Sequence, residues 1–186
     1  MLRLNVIIAS TRPGRVGEPV ANWFNQVARE HGAFDVHLVD LAEVALPIFD
    51  EPEHPRLRNY RHEHTKRWSE SVAAADAYVL VTPEYNYGPT PALLNALNYV
   101  YLEWNYKPAG FVSYGGISGG MRAVQVTKQT LTTLKVMPMV EQVAIPMVNE
   151  HLNNGVFEPL KPHRNGATAM LDELHRWATA LTTLRA

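Results

Sequence analysis

Ala77-Tyr78-Val79-Leu80-Val81-Thr82-Pro83-Glu84-Tyr85-Asn86-Tyr87-Gly88-Pro89-Thr90-Pro91 is the stretch whose reading decides the fold. Residues 77–82 are apolar or β-branched without alternation, the pattern of a strand buried on both faces, and Pro83 lacks the donor needed to prolong the ladder. A strand covered on both sides belongs to a parallel sheet with helices packed above and below it.

Upstream, Leu2 to Ala9 is an apolar, β-branched-rich run read as the first strand, stopped by Ser10-Thr11-Arg12-Pro13-Gly14-Arg15-Val16-Gly17, which reads as a loop. A helix follows from Glu18, with Val20, Trp23, Phe24, Val27 and Ala28 on one face and Gly32 beyond its end. Phe34, Val36 and Leu38 alternate with Asp35 and His37, as in an edge strand with one wet face. A Pro-rich connection (46–55) leads to a polar helix whose buried stripe is Trp68, Val72 and Ala75. Downstream, the pattern predicts a helix over 91–104, a strand at 109–114, a Gly-rich loop at 115–120 and a helix to about Lys135. A last strand at 143–148 contains Pro146, which points to a sheet edge. After an Asn-, Gly- and Pro-rich excursion at 149–165, Ala167, Met170, Leu171, Leu174, Trp177, Ala178, Leu181 and Leu184 define an amphipathic final helix.

Five strands alternating with five helices imply right-handed βαβ units and a doubly wound α/β fold, a five-stranded parallel sheet with helices on both faces. With the second and fifth strands at the edges, the order is 2-1-3-4-5, and a ligand crevice is expected at the carboxyl ends of strands 1 and 3. The 186 residues suffice for one domain spanning 1–186. Seventeen Lys and Arg against eighteen Asp and Glu leave a net charge of −1, so nucleic acid is not an expected partner. There is no cysteine, which excludes thiol catalysis and thiolate metal sites. No signal peptide or membrane span is read, so the expected location is the cytoplasm.

Three segments carry chemistry. The loop at 10–17 lies between a strand and a helix N-terminus, where free N–H groups favour an anion, and its Ser10, Thr11, Arg12 and Arg15 suit a phosphate monoester. It has neither a Gly-x-Gly-x-x-Gly turn nor a Gly-Lys-Ser/Thr sequence, which argues against a Rossmann-bound dinucleotide or ATP. In the loop at 83–91, prolines stiffen the chain while Tyr85 and Tyr87 offer aromatic faces to a planar heterocycle. In Ser113-Tyr114-Gly115-Gly116-Ile117-Ser118-Gly119-Gly120, missing side chains let backbone approach a ring system. All three loops end central strands.

With those segments in view, the chain resembles the NAD(P)H-dependent FMN reductase family, a flavodoxin-like group that includes quinone, azo-dye and chromate reductases. The resemblance rests on Ala9-Ser10-Thr11-Arg12-Pro13-Gly14-Arg15, on the intact Pro83-Glu84-Tyr85-Asn86 signature, and on Val112 to Gly116 followed by Ser118-Gly119-Gly120. It implies FMN as cofactor and NAD(P)H as co-substrate, with electrons passing to a small acceptor such as a quinone, free flavin or azo dye. The implied cofactor residues are Ser10, Thr11, Arg12, Arg15, Val16 and Gly17 in the first loop, Pro83, Glu84, Tyr85, Asn86 and Tyr87 in the second, and Ser113, Tyr114, Gly115 and Gly116 in the third. No catalytic acid or base is assigned, because the flavin carries the chemistry.

Competing readings are a flavodoxin-like electron carrier, which the near-neutral charge disfavours, and a flavin-free domain, which the Pro-Glu-Tyr-Asn loop opposes. His62 and His64, two apart on a helix, should point to opposite sides and share no metal. Leu93, Leu94, Leu97, Tyr99, Val100, Tyr101, Leu102 and Trp104 wrap almost the entire circumference of a helix over 91–104, so a partner copy is expected against one side, the alternative cover being the 149–165 excursion. Relatives of this kind are dimers or dimers of dimers.

Overall fold

The computed structural model describes residues 1–185; Ala186, which the single-domain reading includes, lies outside the described residues. Strand β1 (Leu2–Ile8) leads to helix α1 (Gly17–His31), strand β2 (Phe34–Asp40) and a single helical turn, α2 (Leu41–Val44). Helix α3 (Glu63–Ala74), strand β3 (Ala77–Pro83), helix α4 (Pro91–Tyr99), strand β4 (Pro108–Tyr114), helix α5 (Met121–Thr133) and strand β5 (Met137–Ile145) follow. A hairpin of β6 (Leu152–Asn153) and β7 (Val156–Phe157) precedes the final helix, α6 (Lys161–Leu181). The first five strands pair in parallel in the order β2-β1-β3-β4-β5, the flavodoxin-like arrangement expected.

Every residue of β3 and β4 is buried. On one face Val20, Phe24 and Ala28 of α1 and Met170, Leu171 and Leu174 of α6 pack on Val6, Ile8, Val79 and Val112. On the other, Trp68 and Val72 of α3, Leu93 and Leu97 of α4, and Val124 and Leu131 of α5 cover Ile7, Leu80 and Phe111. The alternating residues of β1 thus feed two cores: Leu4, Val6 and Ile8 enter one, and Ile7 enters the other, where the buried Asn5 on the same face is satisfied by the Ser71 carbonyl (2.9 Å).

Four local readings are corrected. The helix at 91–104 stops at Tyr99, because Val100 is extended and residues 102–104 form a separate 3-10 turn. That turn brings Trp104 into the core beside Trp68 and Tyr78, at ring-centroid distances of 5.9 and 4.7 Å. It also buries the Glu103 carboxylate, which accepts hydrogen bonds from Ser69 (2.7 Å) and Tyr60 (3.0 Å). The apolar residues of this stretch are therefore mostly covered by the chain itself; only Leu94 and Leu102 stay more than 40% exposed.

Strand β5 begins at Met137, earlier than expected, and ends before Pro146. Glu141 and Gln142 mask its apolar period, while the edge position itself is as expected. The 149–165 excursion is shorter than expected. It contains the β6–β7 hairpin, turned by Asn154 and Gly155 at φ 50° and 80°, and gives way to α6 at Lys161. Trp177 lies at the margin of the buried stripe of α6, 37% exposed.

Replacing Trp104 by Ala should destabilise the fold by about 3–5 kcal/mol, because the site cannot collapse around so large a void. Trp177→Ala should cost less than about 1 kcal/mol. Urea unfolding monitored by circular dichroism measures both, and equal costs would mean that Trp104 is not a core residue.

Candidate functional site

The carboxyl ends of β1, β3, β4 and β5 open onto one cavity of about 280 Å³. Ser10, Arg12, Arg15 and Val16 line it from the first loop, Pro83 and Tyr85 from the second, and Tyr114, Gly115 and Gly116 from the third. Nine of the residues anticipated from the sequence are therefore brought together.

The first loop turns at Gly14, whose φ of 68° suits glycine, and closes with a hydrogen bond from Arg15 N to the Arg12 carbonyl (3.1 Å). Gly17 opens α1 directly above Tyr114, since a Cβ there would lie 2.5 Å from the phenolic oxygen. That contact forces glycine at this position and brings the first turn of the helix onto the end of β4. The Tyr114 hydroxyl is buried at the base of the cavity, with Ser10 as its polar neighbour. Burial holds the phenol protonated well above its ordinary range. Ser10 Oγ and the Tyr85 hydroxyl are hydrogen-bonded at 3.2 Å, joining the first and second loops. Arg12 is exposed, and no carboxylate among the described residues pairs with it. Arg15 differs: its guanidinium forms a two-pronged ion pair with Asp40 and also donates to the Ser10 carbonyl (2.9 Å). Thr11 faces away from this cavity, toward Leu41, Ala42 and Ala92.

The second loop is a tight turn. Tyr85 and Gly88 exchange backbone hydrogen bonds of 3.0 and 2.9 Å around Asn86 and Tyr87, both left-handed at φ 49° and 68°. A left-handed tyrosine is strained, and such strain persists only where surrounding contacts hold it. Here the exposed Tyr87 ring carries the Arg122 guanidinium 3.8 Å from its centroid. Glu84 points away from the cavity and accepts from Ser118 Oγ (3.1 Å), Arg122 N (3.0 Å) and Arg122 Nε (2.7 Å). It joins the second loop to the third and to the start of α5.

In the third loop Ser113 is an interior strand residue and not part of the cavity wall. The sterically required glycines are Gly119 and Gly120. At these positions a Cβ would meet Pro146 N and the Tyr114 backbone at 2.9 Å. At Gly116 a Cβ would meet nothing within 4 Å, as expected for a residue facing open space.

Sequence reading missed the fourth wall, Met147, Val148, Asn149 and Glu150. Met147 N and Val148 N donate to the carbonyls of Gly116 (2.9 Å) and Gly115 (3.0 Å), which locks this segment against the third loop. Placing β5 too late in the chain concealed it. Thr90 was also missed: it caps α4 through Leu93 N and donates to the Ala9 carbonyl (2.7 Å). The expected separation of His62 and His64 is corrected as well. His62 precedes the first residue of α3 with an extended backbone, so the helical spacing does not apply; the rings stack 5.1 Å apart and both approach Asp50. Among the described residues no group of three or more His, Cys, Asp or Glu is arranged to hold a metal ion.

Fold and cleft together define a flavodoxin-like protein whose site is built from the loops at the carboxyl ends of its strands. Residues 2–150 match the family model described as NADPH-dependent FMN reductase. The chain belongs to the NADPH-dependent FMN reductase family, whose members are flavin-dependent oxidoreductases using a reduced nicotinamide. It is 37% identical over 159 residues to an NAD(P)H-dependent FMN reductase of Schizosaccharomyces pombe, covering 84% of this chain and 79% of the relative. An NADPH azoreductase of a Bacillus species is 32% identical over 132 residues, covering 69% and 71% of the two chains. Among solved structures, FerB, an NAD(P)H:(acceptor) oxidoreductase from Paracoccus denitrificans, aligns over 97% of this chain and 98% of its own, with a TM-score of 0.77 at 19% identity. No helix among the described residues is long and apolar enough to cross a membrane.

Burial alone would push the Glu84 carboxyl up, but the hydrogen bonds from Ser118 and Arg122 outweigh it and hold it below its ordinary 4.5. A carboxyl lowered by folding stabilises the native state above its unfolded value, and that contribution is lost as the pH falls. The stability of the chain should thus decline below about pH 4.5, and Glu84→Gln should flatten that decline. Urea midpoints from pH 3 to 7 test this; an identical acid limb in the variant would show that the clamp is absent.

Proposed function

We propose that this chain is an FMN-dependent oxidoreductase that accepts electrons from NAD(P)H and passes them to a small acceptor such as a quinone, free flavin or azo dye. The observation that carries the placement of the cofactor is the convergence of Ser10, the exposed Arg12, Tyr85, Tyr114, Gly115 and Gly116 on one cavity beside the first turn of α1. Ser10, Arg12 and the N–H groups opening α1 surround the same point and would hold the phosphate. The backbone of Pro83 to Tyr87 and of Gly115 and Gly116 would hold the ring, and FMN bound there supplies the two-electron chemistry.

The chain's own work is placement. The Tyr85–Gly88 turn and the Gly115–Gly116 segment, pinned by Glu84 and by Met147 and Val148, form rigid walls. Because the chain has no Gly-x-Gly-x-x-Gly motif to seat NAD(P)H separately, nicotinamide and acceptor would use one site in turn, giving ping-pong kinetics. A protein-docking electron carrier is the weaker reading, since the net charge is only −1 and the similar chains above are named reductases.

We further propose that residues 1–186 act as one domain in the cytoplasm, the compartment that supplies reduced nicotinamides, as a homodimer or dimer of dimers. Leu94 and Leu102, the two leucines of the 91–104 stretch left more than 40% exposed, would be covered by a second copy. Light scattering at micromolar concentration should return a mass above the 20.9 kDa of one chain, and a monomer would remove this part of the proposal.

Arg12→Ala should weaken FMN binding roughly 10- to 150-fold, since a hydrogen bond to a charged group contributes about 1.5–3 kcal/mol. Titration of the apoprotein with FMN measures the loss. Unchanged affinity would take Arg12 out of the phosphate site.

A further inference from the structure

The first loop contains two guanidinium groups, but only Arg12 is available to an incoming anion. Asp40, the last residue of β2, has both carboxylate oxygens engaged: Oδ1 by Arg15 Nη1 (2.8 Å) and Ala42 N (2.9 Å), and Oδ2 by Arg15 Nη2. The two side chains are only 14% and 11% exposed, which makes this a largely buried, bidentate pair. Glu18, 3.8 Å from Arg15 Nη2, adds further negative charge. For Arg15 to ligate a phosphate, it would have to leave a carboxylate with little access to water, beside a newly arrived dianion.

The pair also shapes the loop. Arg15 closes the turn through its own N–H to the Arg12 carbonyl, and its side chain reaches back to the Ser10 carbonyl at the loop's first residue. One arginine thus ties the start of the loop, its turn and the neighbouring strand to a single point. Asp40 lies at the carboxyl end of β2 beside β1, so the anchor is supplied by the sheet.

We propose that Asp40 is a positioning residue for the cofactor phosphate: it holds Arg15 so that the loop presents Ser10, Arg12 and the α1 amides, and Arg15 itself is not a phosphate ligand. This rests on the placement of FMN proposed above.

The test uses the apoprotein and its Arg15→Ala, Asp40→Asn, double and Arg12→Ala variants, titrated with FMN and with riboflavin by flavin fluorescence. Asp40→Asn keeps an acceptor for Ala42 N, so the ion pair is removed without stripping the cap of α2. Hydrogen exchange of the amides of residues 11–17 is followed in the same proteins without flavin. Either single variant should lower FMN affinity about tenfold or more. The double variant should be no worse than the weaker single one, as two partners of one interaction require. Riboflavin affinity should not change, and the loop amides should exchange faster.

Tighter FMN binding by Asp40→Asn would overturn the proposal, because it would mean that Arg15 is a ligand restrained by Asp40. A parallel loss of riboflavin binding would reduce the pair to general structural support, and wild-type affinity with wild-type exchange would remove it altogether. If Arg12→Ala also leaves FMN binding intact, the placement of the cofactor fails instead, while the exchange data still report whether the clamp orders the loop.

Discussion

Strands β3 and β4 have no exposed residue, and most of what happens elsewhere in this chain answers to that constraint. A strand sealed on both faces cannot offer a side chain to solvent along its length, so chemistry is confined to the points where the chain leaves the sheet. At those points backbone groups lose their ladder partners, and the loops must satisfy them or present them to a ligand. The cavity lies where four such exits converge.

Convergence alone would leave a set of mobile loops. They are tied in pairs: the first to the second by Ser10 and Tyr85, the second to the third by Glu84 with Ser118 and Arg122, and the third to the segment after β5 by Met147 and Val148. These bonds support backbone that is unfavourable by itself, including left-handed Asn86, Tyr87 and Met147. Strain next to a binding cavity, stabilised by neighbouring loops, is a sign of a preorganised site. The electrostatics follow the same division of labour. Arg15 and Arg122 are neutralised by Asp40 and Glu84 and act as ties, which leaves Arg12 as the available positive charge of the first loop.

Several features were legible before any coordinates. The largely apolar run at 2–9, the continuous one at 77–82, the alternation at 34–38 and the loops that follow them were enough to read a doubly wound sheet in the correct order. They also located three of the four cavity walls. Period and punctuation are local properties, and a short apolar run is separated from a buried helix by its length, its β-branched residues and the turn residues that bound it.

What remained hidden depends on contacts between residues far apart in the chain. The end of α4 at Tyr99 is decided by the burial of Trp104 and Glu103 against α3, a gain that helical periodicity cannot register. Likewise the start of β5, the facing of His62 and His64 and the fourth wall depend on neighbours supplied by other elements. The role of Arg15 is the sharpest case. Its sequence neighbours place a guanidinium in a loop at a helix N-terminus, where it reads as an anion ligand, and only the parallel pairing of β2 with β1 brings Asp40 within reach to bind it. Composition and spacing determined which elements form and where their loops emerge; tertiary packing decided which charges in those loops stay free, because a charge is neutralised by whatever lies beside it in space.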